Sequence, residues 1–163
     1  MLSARETRIA MLFVFSLVIV GAVAFYTYAR MVDPLLVTGW SNVDKEQKQI
    51  YVSLVNEGWA DINIEEVAVN SKAPATNAHF VMSYTGQLVS GGIEDSSQAQ
   101  FIGIDEGIIP PQLSDAEVRQ ILRDNEGRIP LHYGVRIVND ENIHTVHIQY
   151  RYLGISRTKT VVL

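Results

Sequence analysis

Four histidines, His79, His132, His144 and His147, are the side chains of this chain best suited to hold a metal ion, because its 163 residues contain no cysteine. Without a thiol there is no disulfide scaffold, no thiol nucleophile and no cysteine-ligated zinc or iron–sulfur site. His132 and His147 flank Asn139-Asp140-Glu141-Asn142. If the chain turns there as an antiparallel hairpin, both rings fall on one outward face, across from each other, and His144 falls on the other. That supplies two ligands where zinc takes three or four, and the outward neighbours Arg136 and Arg151 repel a cation. Ordinary surface histidines are the expectation. His132 and His147 are the ligands should a metal bind, and an unchanged melting temperature in a zinc titration excludes it.

The acidic pairs Glu65-Glu66, Glu94-Asp95, Asp105-Glu106 and Asp140-Glu141 are sequence neighbours. In a strand, neighbours point to opposite faces and cannot share a substrate, so solvated turn positions are expected. Asp105-Glu106-Gly107 lacks the spaced acidic series that supplies calcium with enough oxygens. No G-x-S-x-G elbow, Walker loop, dinucleotide fingerprint or HExxH helix occurs, and Ser41 and Ser83 have no base that sequence places beside them. The reading is a non-enzymatic protein without a cofactor. Trp40 and Trp59 lie next to turns, Trp59 within Asn-Glu-Gly-Trp-Ala-Asp, where the turn itself has no use for a large ring. Trp59 either caps the end of the domain, which is preferred, or anchors a partner.

The element that carries these residues to their place comes first in the chain. From Ile9 to Ala29 there are 21 residues without a charge, closed by Arg8 and Arg30. At about 1.5 Å per residue such a helix covers about 31 Å, the hydrocarbon thickness of a bilayer. Its apolar residues run all the way round, which argues against an interfacial helix. Arg5 and Arg8 then keep residues 1–8 cytoplasmic and send residues 30–163 outside, with Tyr26 and Tyr28 at the outer aromatic belt. Ala22-Val23-Ala24 also has the form of a signal peptidase site, and cleavage after Ala24 would release a secreted ligand-binding protein. The apolar run continues through Phe25, Tyr26 and Tyr28, which favours an uncleaved anchor.

Beyond Pro34, short apolar alternations separated by Gly, Pro, Asn and Asp predict a mainly β unit of about seven strands. Leu35 to Trp40 reads as the first. Lys48 to Asn56 follows, with Ile50, Val52 and Leu54 on one face and Tyr51, Ser53 and Val55 on the other. Ile62 and Ile64 set one phase and Val67 and Val69 the opposite one, so a β-bulge is expected near Glu65-Glu66. Phe80, Met82 and Tyr84 are expected to face the core. Phe101, Ile102 and Ile104 suggest a fifth strand, ended by Gly107, Pro110 and Pro111. A short helix is expected near 114–126: Ser114 is the N-cap with Glu117 three residues on, Leu113 and Val118 take the staple positions, and Gly127 closes it. Ile129 to Leu163 reads as the hairpin already named, with a further short strand after Gly154. Leu131, Tyr133, Val135 and Ile137 share its core face with Val146, Ile148, Tyr150 and Tyr152.

The stretch YVSLVNEGWADINIEEVAVN, a strand, an Asn-x-Gly turn and a second strand, resembles the membrane-anchored immunoglobulin-like domains of bacterial and archaeal envelope proteins. It is also similar to the late-embryogenesis type of sandwich, where an Asn ends the strand in the same way. The likeness covers Gln49 to Asn70, and the buried Trp and cysteine pair of antibody domains are missing. It implies an immunoglobulin-like antiparallel β-sandwich with a binding, spacing or assembly role in the cell envelope. Charge bears on the partner. Residues 32–117 hold 3 basic against 13 acidic residues, while 118–163 hold 7 basic and 4 acidic. That excess of negative charge argues against nucleic acid or anionic lipid headgroups. The expectation is a single-pass protein of the cell membrane, embedded through residues 9–29, with a protein partner in the membrane or envelope. A metal-dependent enzyme built on the hairpin histidines is the remaining alternative.

Overall fold

The computed structural model describes residues 4–124 and 129–163. The chain divides into two units, Met1–Asp33 and Pro34–Leu163. The first is a helix, α1 (Ala4–Met31), running past both flanking arginines of the apolar stretch. Its segment Met11–Met31 has a mean hydropathy of 2.1 and its large apolar side chains from Met11 to Tyr28 are exposed, so it is long and apolar enough to be a membrane anchor or a signal sequence. Thr27 satisfies its hydroxyl within the helix by donating to the Val23 carbonyl at 2.8 Å.

The second unit is mainly β. Its elements are β1 (Leu35–Asn42), β2 (Gln49–Asn56), β3 (Ile62–Val69), β4 (Ala73–Pro74), β5 (Asn77–Ser83), β6 (Ala99–Ile102), β7 (Ile108–Ile109), α2 (Asp115–Asp124), β8 (His132–Val138), β9 (Thr145–Tyr152) and β10 (Ile155–Val162). They form two antiparallel sheets, one ordered β1-β2-β8-β5-β6 and the other β10-β9-β3-β4, with β7 also against β3. The expected bulge is there: pairing of β3 with β9 shifts between Ile64 and Glu66, leaving Glu65 as the extra residue. Ile62, Ile64, Val67 and Val69 thereby all stay buried despite their opposite phases.

The expected hairpin is not formed. β8 pairs with β2 and β5 in the first sheet, while β9 pairs with β3 and β10 in the second, so residues 139–144 cross between sheets. The core residues hold all the same: Val135, Ile137, Val146, Ile148, Tyr150 and Tyr152 are buried, with Tyr133 and Leu131 partly so. The hairpin that does form joins β9 to β10, which pair from Tyr152 with Ile155 to Thr145 with Val162. Its two turn residues, Leu153 and Gly154, have φ of 50° and 79°, the positive values a tight two-residue turn demands. β10 is the outermost strand of its sheet, and its Arg157 and Lys159 lie across from Tyr150 and Ile148, on the face turned to the core.

The alternation expected for β2 is only half of its environment, since Ile50, Tyr51, Val52, Ser53 and Leu54 are all buried. Residues 84–98, which contain a 3-10 turn at Ile93–Asp95, cover the outer face of the first sheet. Val89 and Ile93 pack there on Tyr51 and Val81, with Ala99 and Phe101 beside them. The Ser53 hydroxyl donates to the Val89 carbonyl at 2.8 Å, and a Cβ on Gly134 would stand 2.7 Å from the Val89 side chain. Of the residues expected to face the core from β5, Phe80 is buried, whereas Met82 and Tyr84 are only partly so. Ile104 sits in a 3-10 turn, Ile104–Glu106, and not in a strand. α2 begins as the sequence requires: the Ser114 amide donates to Glu117 Oε2 at 2.8 Å and the Glu117 amide reaches back to Ser114 Oγ at 3.4 Å. Gly127 lies outside the described residues.

Strand register defines two ends. At one stand Pro34, the 57–61 turn, the Leu153-Gly154 turn and residues 107–113, and at the other the loops 43–48, 70–76 and 139–144. The second end is a polar lattice. Asn70 donates to the Asn142 carbonyl (2.9 Å) and accepts from the His144 amide (2.8 Å), while the Asn139 amide donates to the Lys48 carbonyl (2.9 Å).

Candidate binding site at the Pro34 end

Asn56 ends β2 and is 1% exposed, so every polar atom of its side chain needs a partner inside the protein. It finds three. Its Nδ2 donates to the Ala60 carbonyl at 2.8 Å and the Ile109 carbonyl at 2.9 Å, and its Oδ1 accepts the Gly58 amide at 2.8 Å. The Asn56 carbonyl takes the Gln112 amide at 2.9 Å, so one residue ties the 57–60 turn to the segment leading into α2. Gly58 is required sterically: a Cβ there would lie 2.6 Å from the Tyr152 hydroxyl and 2.9 Å from Pro34 Cβ. Trp59 follows. Its amide donates to the Tyr152 hydroxyl at 3.2 Å and its ring meets the Tyr152 ring edge-on at 6.5 Å, yet 60% of the residue stays exposed. Tyr152 is thus the structural cap of this end, and the Trp59 ring stands outside it.

Beside this turn lies a cleft of about 400 Å³, walled by Leu54, Pro110, Leu113, Val118 and Leu131, with Asn56 and His132 at its margin. Its apolar lining includes Val118 of α2, a helix none of whose residues is fully buried. Burial holds the His132 imidazole below its ordinary pKa, which keeps it neutral with one donor and one acceptor to offer. Burial, helped by the Tyr84 and Asp61 charges, pushes the Tyr133 phenol up to about 12, and its hydroxyl bonds the Pro130 carbonyl at 3.3 Å. A small apolar group carrying one polar atom is what such a cleft can hold.

The other chemistry-bearing residues are scattered. His132 and His147 belong to different sheets and do not face each other, because the hairpin that would pair them is absent. Both ring nitrogens of His147 are engaged. Nε2 lies 2.9 Å from the Asn70 carbonyl, which can only accept, so Nε2 donates there, and Nδ1 bonds the Thr160 hydroxyl at 3.1 Å. His144 is exposed and His79 lies on β5. Among the described residues no group of three or more His, Asp and Glu side chains is placed to hold a metal ion. Bulged Glu65 pairs with Arg151 at 2.5 Å and accepts from Gln149 at 3.2 Å. Burial opposes its charge, but hydrogen bonds from Ser156 and Gln149 together with Arg151 outweigh it and hold the carboxyl below the usual range. Ser41 Oγ accepts the Gly91 amide at 3.0 Å and Ser83 Oγ donates to the Gln87 carbonyl at 2.8 Å, so both bind loop 84–98.

One constellation had no signature in the sequence. Tyr51, Arg136 and His79 stand in a single cross-strand row on the outer face of the first sheet, with Glu94 near Tyr51 and Arg136. Burial, reinforced by Glu94, raises the Tyr51 phenol far above its ordinary value. That ring is fully buried, so no substrate reaches it. Neither a family model, nor a curated protein, nor a solved structure matches this chain.

Proposed function

We propose that this chain is a single-pass membrane protein, with residues 1–8 in the cytoplasm and the two-sheet unit displayed outside as an immunoglobulin-like β-sandwich. Its role is non-enzymatic, in binding or assembly within an envelope complex. The observation that carries the reading is α1: a helix whose large apolar side chains from Met11 to Tyr28 are all exposed needs another apolar phase to cover it. The asymmetry of the sandwich supports a binding role, since one end is a closed polar lattice and the other offers an apolar cleft beside a bare Trp59.

Protease added to intact cells, followed by alkaline extraction of the membranes, tests the arrangement. The expected result is loss of the unit from protease-treated cells, and, in untreated cells, a chain that stays in the membrane pellet with residues 1–24 still attached. Recovery of the chain in the medium without residues 1–24 would replace the anchor with the secreted reading. Crosslinking in intact cells with mass spectrometry then identifies the partner. A chain that crosslinks to no envelope protein removes the assembly role.

A further inference from the structure

We propose that the Pro34 end of the two-sheet unit rests on the lipid–water interface of the membrane, with Trp59 as its principal anchor and uncharged, zwitterionic headgroups as its surface. The proposal rests on the anchor reading. Pro34 is where the chain joins the unit, and only Val32 and Asp33 separate it from the last residue of α1. At the 3.8 Å limit per residue, those three steps reach about 11 Å, whatever angle the unit takes. Pro34 is packed into the same turn as Trp59: its carbonyl accepts the Glu57 amide at 2.9 Å, and its ring leaves no room for a Cβ on Gly58. Covalent reach therefore brings Trp59 within range of the interface.

The surface at this end suits that location. Trp59 is 60% exposed, and Ile108, Leu122 and Ile129 are exposed with it. The opposite end presents hydrogen-bonded loops, and the exposed large apolar residues away from the Pro34 end are Trp40, Val43, Leu88 and Val162. Tryptophan prefers the headgroup level because its ring is apolar and its indole N–H keeps a polar partner. The acidic neighbours Glu57, Asp61 and Asp115 would be repelled by anionic lipid, which is why zwitterionic headgroups are the surface assigned.

Two tryptophans in the whole chain make the test direct. The full chain is reconstituted into phosphatidylcholine vesicles whose acyl chains are brominated near the headgroup, as Trp40→Phe (reporting Trp59) and as Trp59→Phe (reporting Trp40). Flotation with the vesicles is read first. A chain that does not float overturns the anchor and the docking together. With a floating chain, Trp59 emission is expected to be quenched severalfold more than Trp40 emission, and Leu122→Glu in the Trp40→Phe background is expected to reduce that quenching. Equal quenching of the two tryptophans, or quenching of Trp59 unaffected by Leu122→Glu, would overturn the docking and leave the anchor standing. All three substitutions change exposed side chains, so the fold itself is not at stake.

Discussion

Asn56 and Asn70 end consecutive long strands and do the same job at opposite ends of the unit, each satisfying backbone groups of a distant loop that would otherwise stay unpaired. At Asn56 the geometry is closed, so Asn56→Ala strands the Ala60 and Ile109 carbonyls and the Gly58 amide. Losing such partners in a buried place is expected to lower stability by about 3 kcal/mol, read as the urea midpoint of the full chain in detergent. Asn56→Asp should be little better, since a carboxylate cannot donate to those carbonyls. The asparagine and the glycine after it were visible in the sequence as a turn. Their role as a clamp was not, because the partner carbonyl of Ile109 lies far along the chain.

His132 sets a pH dependence whose sign follows from its burial. Its folded pKa lies below the ordinary 6.5, so the unfolded chain binds the proton more readily. Its contribution is at full strength above 6.5 and is lost as pH falls through the range between 6.5 and the folded value. The melting temperature is expected to drop between pH 7.5 and pH 5.5, and His132→Gln should flatten that part of the profile. Glu65 and Glu94 act in a separate window. Their carboxyls are held below the ordinary value of 4.5, so their contribution is present above 4.5 and is lost on further acidification.

Among the elements, the bulge at Glu65 was legible because an inserted residue flips the phase of everything after it, and Val67 and Val69 report the flip directly. That β8 and β9 belong to different sheets was not legible. Alternation tells which side of a strand is apolar, and two strands facing each other from opposite sheets satisfy the same rule as two strands side by side. The correct core face thus came with the wrong neighbour, and with it went the supposed proximity of His132 and His147. The cover over the first sheet was hidden for a related reason: Val89 and Ile93 lie among glycines and serines with no period to read. Gly134 is where that cover comes closest. A methyl group there meets Val89 and, at 2.5 Å, the Val52 carbonyl, so Gly134→Ala is expected to cost about 2 kcal/mol of stability. If its thermal midpoint matched that of the parent chain, loop 84–98 would not be packed as described.

For the whole molecule, the division at Pro34 predicts that residues 34–163 fold alone. Nearly all the strand pairing and the interior hydrogen bonds described fall within that unit. Expressed without residues 1–33, it is expected to be monomeric in solution, with a β-dominated circular dichroism spectrum and one cooperative melting transition. A spectrum dominated by helix, or the absence of a transition, would count against the division. The cleft at the Pro34 end was beyond the reach of the sequence, since its walls come from β2, the approach to α2 and the approach to β8, which only folding brings together.

The outermost strand β10 carries a safeguard with consequences beyond one copy. A strand at the border of a sheet invites a neighbouring molecule to continue the ladder, and eight residues of regular register give it a long template. Arg157 and Lys159 place charge along that strand, and charged side chains on an edge strand disfavour its continuation by a second molecule. Replacing both with valine should therefore leave the isolated molecule folded while letting concentrated copies zip into ordered aggregates, visible as thioflavin-positive fibres.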